Sequence, residues 1–273
     1  MKLLIAVDME GISGITHWGQ VRPDHEAYAY GCQLMVADVN AAVEGAFEGG
    51  AVDVQVSDGH NTGTNIKLVD LNPPAKLHSG NVAPLAMIEG IQYGFDAVVF
   101  IGYHAMAGTS RAVMDHTWSS INIANVWIND LKVGETALNA YICGHYDIPV
   151  IAVSGDQALA FEAQAFLPGV EAAIVKHATS RESAVCLPLE EAHQIIFDTV
   201  KKAVINFKEG KAPAVLTPPA SIELKVEFFD SLKAARANYL PGSTMKDACT
   251  VSFTARDMPE AFFAFRSMST LAN

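Results

Sequence analysis

The sequence predicts an α/β protein: a mainly parallel β-sheet covered by helices on both faces, with a smaller C-terminal α+β portion. Three observations predict this class. Short, continuously apolar runs recur along the first part of the 273-residue chain, helical patterns separate them, and the rhythm changes after residue 156. Continuous apolar runs indicate strands that are buried on both faces, as strands of parallel sheets are.

The N-terminal portion alternates strand and helix. Apolar runs predict four strands, at residues 3–7, 52–56, 97–101 and 149–153. Helical spacing of apolar residues predicts three helices between them, at residues 28–48, 84–93 and 135–145. The segment INIANVWINDLKVGE interrupts this alternation with two short strands that turn at Asn129 and Asp130, which predicts an inserted hairpin. Together these elements predict an N-terminal α/β domain of residues 1–156.

A different order follows in residues 157–273. A helix at residues 157–166 is predicted to lead to a strand in VEAAIVKHA and then to a long amphipathic helix at residues 189–208. The proline-rich stretch GKAPAVLTPPA is typical of a linker or rigid crossover. The runs SIELKVEFF and DACTVSFTA indicate further strands with a short helix between them, and a final helix begins at Pro259. This order predicts a second, α+β domain.

Composition excludes several classes of function. The chain has 18 basic and 30 acidic residues and a net charge of −12, which argues against a nucleic-acid or anionic-membrane partner. No run approaches the ~18–20 apolar residues of a membrane span, and the first apolar run is too short for a signal peptide. The four cysteines, at positions 32, 143, 186 and 249, are far apart and predict reduced thiols. We therefore expect a cytoplasmic protein.

Potential metal ligands follow three of the predicted strands. Asp8 and Glu10 follow the first, Asp58 and His60 follow the second in SDGH, and His104 follows the third in GYHAMAG. The carboxyl ends of parallel strands meet at one edge of the sheet, which is where open α/β proteins bind ligands. Asp, Glu and His are ligands of borderline divalent metals such as zinc. The sequence therefore predicts a metal site at this edge.

The spacing of Asp8 and Glu10 supports the same prediction. Side chains two residues apart in an extended strand point to the same side, and two neighbouring carboxylates repel each other unless a cation lies between them. Glu135, in KVGE at the start of a predicted helix, offers another carboxylate. More candidates than a tetrahedral zinc ion uses suggest two metals, with Asp8 as the bridging carboxylate.

Each candidate also has a simpler interpretation. Asp8 and Glu10 can serve only to solvate a strand end, and Asp58 precedes Gly59 in a common turn pair, so a structural role is preferred for Asp58. Glu135 can serve only to stabilise the positive end of its helix. His60 and His104, taken singly, are compatible with ordinary polar residues. The coincidence of four candidates at matching strand ends favours the metal site: Asp8, Glu10, His60 and His104.

A further histidine is a catalytic candidate. His116, in MDHTWSS, precedes the predicted hairpin, so its loop can reach the same edge, where a histidine could accept a proton or orient a carbonyl group. A histidine of an ordinary surface loop is the alternative. His177, in VKHATSRES, is a weaker candidate.

The chain lacks GxxxxGK[ST], a GxGxxG after a strand, and GxSxG, so nucleotide binding and serine hydrolysis have little support.

Five motifs in order carry a family resemblance: VDMEG, SDGHN, GYHAMAG, DHTWSS and VGE. Together they resemble the DppA-type zinc-dependent D-aminopeptidases of bacteria and archaea, specifically over residues 1–156 and more diffusely to the C-terminus. The resemblance implies two zinc ions at the carboxyl edge of the sheet and a homodecamer whose sites face an internal chamber. The zinc ligands that it implies are Asp8 as the bridge, Glu10, His60, His104 and Glu135. It also implies that His116 is the nucleophile or general base.

The expected function is therefore a dinuclear zinc aminopeptidase that removes an N-terminal residue, with a D-amino acid such as D-Ala preferred, from short peptides or amides. Two alternatives stay open. One is a metal-dependent hydrolase of another amide or ester bond; a phosphoesterase of this kind is expected to place Arg or Lys near the metals. The other is an inactive, ring-forming metal-binding homologue. The sequence leaves open D against L preference, and zinc against manganese or cobalt.

Overall fold

The computed structural model describes residues 1–80 and 83–273, which form two β-sheets and the helices that pack on them. The strands, in chain order, are β1 (Lys2–Val7), β2 (Asp53–Asp58), β3 (Lys76–His78), β4 (Ala97–Ile101), β5 (Ile123–Ile128), β6 (Leu131–Lys132), β7 (Val150–Asp156), β8 (Glu171–Ser180), β9 (Ser183–Cys186), β10 (Ile222–Phe228), β11 (Ser243–Met245) and β12 (Thr250–Ala255). The α-helices are α1 (Tyr28–Gly49), α2 (Glu135–His145), α3 (Gln157–Phe166), α4 (Leu189–Lys208), α5 (Ser231–Ala237) and α6 (Met258–Leu271).

The first sheet has seven strands in the order β3-β2-β1-β4-β7-β8-β9. Its neighbours pair in parallel from β3 through to β8, and only β9 runs antiparallel to its neighbour. The predicted fold class, a mainly parallel sheet with helices on both faces, is confirmed. The hydrogen-bonded order places β1 inside the sheet, between β2 and the central strand β4.

Both faces of this sheet are buried, as the apolar runs indicate. In β1, Leu3, Ile5 and Val7 pack in one cluster with α1 and α4, while Leu4 and Ala6 pack in a second cluster with α2 and the second sheet. Alternate residues of a strand point to opposite faces, so a strand between two apolar layers requires apolar residues at every position.

The second sheet is antiparallel, in the order β11-β12-β10-β5-β6. The hairpin predicted around Asn129 and Asp130 is present: β5 and β6 pair across it, and Asn129 adopts the left-handed φ of 56° that such turns favour. Its first strand, β5, pairs with β10 from the C-terminal half. One face of the sheet packs on α5 and α6 and contributes to the same core cluster as α2.

The two sheets do not divide the chain at residue 156. Strands β8 and β9 come after that residue and extend the first sheet, whereas β5 and β6 come before it and belong to the second. Chain exchange between the sheets is a consequence of long-range strand pairing, which local patterns do not encode. The division into folding units of residues 1–156 and 157–273 stays a prediction.

The predicted helix at residues 84–93 is wrong. This segment contains two short 3-10 helices, Ala86–Ile88 and Ile91–Tyr93, separated by Gly90. Gly90 has a φ of 101°, a left-handed conformation that interrupts a right-handed helix. Within the described ranges, no helix is both long and apolar enough to cross a bilayer.

Candidate metal centre

The centre lies at the carboxyl ends of β1, β2 and β4. Asp8 follows β1 directly, and its backbone N–H donates to the carbonyl of Ile101, the last residue of β4, at 2.9 Å. From β1 the chain continues on one side of the sheet to β2 and β3 and later returns on the other side as β4. Such a reversal of strand order opens a crevice between the loops, which is the usual ligand site of an open α/β sheet.

A close backbone contact shapes the turn after β1. The Gly11 N–H donates to the carbonyl of Gly102 at 2.8 Å. A Cβ atom at Gly11 would lie 1.9 Å from the carbonyl oxygen of Tyr103, so only glycine fits there. Met9 is fully buried in the core, as expected, which leaves the carboxylates of Asp8 and Glu10 to face the crevice.

The five predicted ligands come together in two groups that share Asp8. In the first, His60 Nδ1 lies 3.1 Å from Asp8 Oδ1 and 3.2 Å from Glu10 Oε2. In the second, His104 Nε2 lies 3.3 Å from Asp8 Oδ2 and 3.2 Å from Glu135 Oε1. Each oxygen of Asp8 thus faces a different histidine, which is the arrangement that a bridging carboxylate requires.

Both histidines use their other ring nitrogen on a backbone carbonyl. His60 Nε2 lies 2.8 Å from the oxygen of Val21, and His104 Nδ1 lies 3.1 Å from the oxygen of Ala105. Because a carbonyl only accepts, these nitrogens carry the hydrogen. The nitrogens that face the carboxylates therefore present lone pairs unless the rings are protonated. Histidines that bind metals are oriented by this same kind of second hydrogen bond.

The electrostatics of the centre favour a cation. Burial disfavours the charged form of His60, yet the carboxylates of Glu10 and Asp8 outweigh it and raise the pKa of His60 well above its usual value. For His104, burial is likewise outweighed, here by Glu135 and Asp8, and its pKa is also raised well above the usual value. Burial opposes ionisation of Asp8, but the two histidines hold its pKa well below normal. The crevice therefore attracts positive charge.

The donor set fits divalent metal ions. Glu10 Oε2 and His104 Nε2 are buried, and although side-chain atoms lie 3.2–3.3 Å away, none within the described residues forms a hydrogen bond with them. Buried polar atoms without partners are costly, and a cation shared with the neighbouring carboxylates satisfies them. Imidazole nitrogens together with carboxylate oxygens suit zinc and its neighbours in the first transition row.

His116 lies beside this centre. Its Nδ1 lies 2.8 Å from the carbonyl oxygen of Met114, so its Nε2 presents a lone pair, 4.0 Å from both Glu10 Oε1 and Glu135 Oε1. Its ring stacks on that of His104. Burial, assisted by the neighbouring His104 ring, lowers the pKa of His116. A neutral imidazole at this position can accept a proton.

The loop that carries His116 is tightly held. Asp156 Oδ2 accepts a hydrogen bond from the backbone N–H of Val113 at 2.8 Å, and Glu135 Oε1 accepts one from that of Trp118 at 2.7 Å. Met114 and Trp118 have positive φ angles of 48° and 66°. Such backbone conformations cost energy in residues other than glycine, and they concentrate at functional sites.

Asp58 has the structural role that its Asp-Gly pair indicates. Its carboxylate accepts hydrogen bonds from the backbone N–H groups of Asn65, at 2.6 Å, and Ile66, at 2.8 Å. The side-chain amide of Asn65 donates to Asp58 at 2.7 Å and to the carbonyl of His60 at the same distance. Asp58 thereby orders the loop that carries His60.

A cleft of about 840 Å³ opens above the ligands. The walls of the cleft cannot be predicted from sequence patterns, because they come from separate segments. Trp118 belongs to the DHTWSS motif, in which only the histidine is a recognisable catalytic candidate. Arg266 is on α6, far along the chain. Four of the five proposed ligands and His116 line the cleft, and the other residues around it include Trp18, Arg22, Met87, Trp118, Ser119, Arg266 and Ser269. His177 is exposed and has no part in the centre.

Comparisons with known proteins agree with this geometry. The profile of a family described as D-aminopeptidase matches residues 1–267. The chain belongs to this D-aminopeptidase family. It is 39% identical over 273 residues to a D-aminopeptidase of Bacillus subtilis (strain 168), covering 100% of this chain and 98% of the relative. Membership of the D-aminopeptidase family confirms the predicted resemblance and the assignment as a peptidase.

A solved structure shares the whole fold of this D-aminopeptidase family member. It is described as the Zn-dependent D-aminopeptidase DppA from Bacillus subtilis, a self-compartmentalizing protease. The TM-score is 0.95 at 37% identity, with 100% of this chain and 98% of the other covered. Coverage of both chains from end to end means that both sheets, and not only the motif-bearing part, are common to the two proteins.

Proposed function

We propose that this protein is a dinuclear zinc aminopeptidase that removes an N-terminal D-amino acid, such as D-Ala, from short peptides or amides. One observation carries the proposal: the two oxygens of Asp8 face two separate histidines, each beside a second carboxylate. The zinc dependence stated for the structural relative, and the D-aminopeptidase activity stated for both relatives, support the choice of metal and substrate.

In this proposal each group of residues holds one ion. Glu10 and His60 would hold the first ion and His104 and Glu135 the second, with Asp8 shared between them. Zinc held there would polarise a scissile carbonyl group and make a water molecule more acidic. Because both histidines are already oriented by backbone carbonyls, little rearrangement is needed for binding.

The chain's own groups supply proton transfer and substrate orientation. We propose His116 as the general base or nucleophile, since its Nε2 lone pair faces the centre and its pKa is below the usual value. Its Nδ1 hydrogen bond to Met114 fixes this tautomer. The free α-amino group that an aminopeptidase must recognise would be bound by one of the zinc ions or by one of the site carboxylates.

The cleft limits substrate size. Its volume of about 840 Å³ is within the range of small-ligand sites. A folded protein would not enter it, whereas a short peptide would, with apolar contacts available from Trp18, Met87 and Trp118. Substrates are therefore expected to be short.

We further propose that the chain forms a homo-oligomer, with a homodecamer as the specific expectation. The description of the structural relative as self-compartmentalizing supports assembly. The four free cysteines support a reducing, cytoplasmic location.

Metal analysis followed by turnover of matched substrates tests the function. The purified protein is expected to contain about two zinc ions per chain, and to hydrolyse D-Ala amide faster than L-Ala amide. Esters and phosphoesters tested in parallel separate the alternative hydrolases. Bound metal without cleavage of either amide would overturn the aminopeptidase proposal, and preference for the L-amide would overturn its stereochemistry.

A further inference from the structure

A buried lysine binds the loop that carries Glu10. Lys176 lies on β8 and is fully buried. Its Nζ donates to the carbonyl oxygens of Glu10 at 2.6 Å, Ile12 at 2.8 Å and Ile15 at 2.6 Å. A neutral amine has only two hydrogens, so three carbonyl acceptors on one nitrogen identify an ammonium group with every hydrogen used.

The loop needs such a donor. Between the end of β1 and residue 15 the chain no longer pairs with neighbouring strands, and buried carbonyl groups without hydrogen bonds are costly. Backbone N–H groups of the loop are bound separately: Gly11 donates to Gly102, and Ser13 donates to Asp38 Oδ2 at 2.8 Å. Lys176, on β8, binds carbonyl groups of the same loop.

This arrangement is poorly explained by stability alone. A buried charge must lose its hydration, and an apolar side chain of similar size often serves a core as well or better. The charge of Lys176 is here used on three carbonyl groups of one loop, and the side chain of one of these residues, Glu10, faces His60. Moving the Glu10 carbonyl moves the Glu10 side chain with it.

We infer that Lys176 is a positioning residue for Glu10. By fixing the Glu10 carbonyl, Lys176 holds Glu10 Oε2 at its 3.2 Å distance from His60 Nδ1. It makes no such contact with the His104–Glu135 group. The inference rests on the proposed function in one respect, the role of Glu10 as a metal ligand.

Hydrogen exchange in metal-free protein tests the contact without reference to the metal. Lys176→Met removes all three donors, and we expect faster exchange in a peptide spanning residues 9–16 than in wild type, with the segment around Glu135 unchanged. Val204→Ala is the matched control for a general loss of packing, because Val204 is buried against α1 and far from the loop in sequence. If Lys176→Met does not fold, Lys176→Gln replaces it. The glutamine side-chain amide keeps two N–H donors.

Zinc titration against a competing chelator then tests the role toward Glu10. We expect Lys176→Met to bind one of the two zinc ions about 10- to 100-fold more weakly, the loss typical of residues that orient metal ligands, and to keep the affinity of the other within about twofold. Val204→Ala, and Lys202→Met as a surface lysine control, are expected to keep both affinities.

The inference is overturned if Lys176→Met leaves exchange over residues 9–16 and both zinc affinities at the wild-type values, or if Val204→Ala shows the same selective loss. Weakening of both ions equally would also overturn it, since that result indicates a general structural role. Failure of the proposed function is distinguishable: wild-type protein would then bind fewer than two zinc ions, and the exchange comparison would still decide whether Lys176 fixes the loop.

Discussion

His104 and His116 stack with ring centroids 4.0 Å apart and planes only 10° apart. Two imidazolium rings this close would repel each other, so at most one of the pair carries a positive charge. His104 directs its Nε2 to the two carboxylates that attract a cation, which leaves His116 as the neutral member. The stack thus places the proposed metal ligand, His104, beside the proposed base, His116.

Replacing His116 is expected to remove catalysis and leave metal binding in place. His116→Ala should lower kcat by about 10²- to 10⁴-fold, the usual contribution of a general acid–base group. Within the described residues, the other two imidazoles at the centre, His60 and His104, are the proposed metal ligands. Zinc content should stay at the wild-type value. His177→Ala, at an exposed position, is the control and should leave kcat unchanged. Full activity of His116→Ala would contradict the role.

Substitutions of Asp8 and Glu135 should lower the zinc content of the protein by different amounts. Asp8→Asn weakens both groups, since each oxygen of Asp8 serves a different histidine, and we expect zinc content to fall below about one ion per chain. Glu135→Gln disturbs the His104 group alone and should leave about one ion bound. Elemental analysis after dialysis against a weak chelator measures both. Equal losses in the two variants would contradict the bridging role of Asp8.

Much of the parallel sheet, and the closeness of the proposed ligands, could be predicted because the signals are local. An apolar run that ends in a carboxylate or histidine identifies both a strand and the residue at its carboxyl end, so Asp8, His60 and His104 follow from the pattern and the sheet rule. The resemblance added Glu135 and His116 in their specific roles, where the residues alone left alternatives open.

Other features could not be predicted because they depend on distant segments. Pairing of β5 with β10 joins residues about a hundred positions apart, and nothing in either strand specifies the partner. In VKHATSRES, the sequence indicates the histidine as the functional candidate. In the structure His177 is exposed, and Lys176 is the buried residue. A lysine is expected at the surface, and only the three carbonyls of the distant loop make its burial possible.

Gly11 should tolerate no side chain. In Gly11→Ala the new Cβ would lie 1.9 Å from the carbonyl oxygen of Tyr103. Because this contact is with backbone, which cannot move aside as a flexible side chain can, we expect the unfolding free energy to fall by at least about 1–3 kcal/mol. We also expect weaker zinc binding. Gly210→Ala is the control for zinc binding, which it should leave at the wild-type value. Its Cβ meets nothing within 4 Å, and its φ of 74° costs only about 1–2 kcal/mol. Chemical denaturation measures both, and zinc affinity unchanged in Gly11→Ala would contradict the prediction.

His193 should give the fold a pH-dependent contribution. Its Nε2, on α4, lies 3.3 Å from Oδ1 of the buried Asp38 on α1, and this contact outweighs burial and raises the pKa of His193. The unfolded value is about 6.5, so the contribution is complete below that pH and disappears as the pH rises through the higher folded value. Because His193 is partly exposed, we expect at most about 1 kcal/mol. The difference in unfolding free energy between wild type and His193→Gln should therefore be larger near pH 6 than near pH 9. A difference that grows with pH would contradict the pairing.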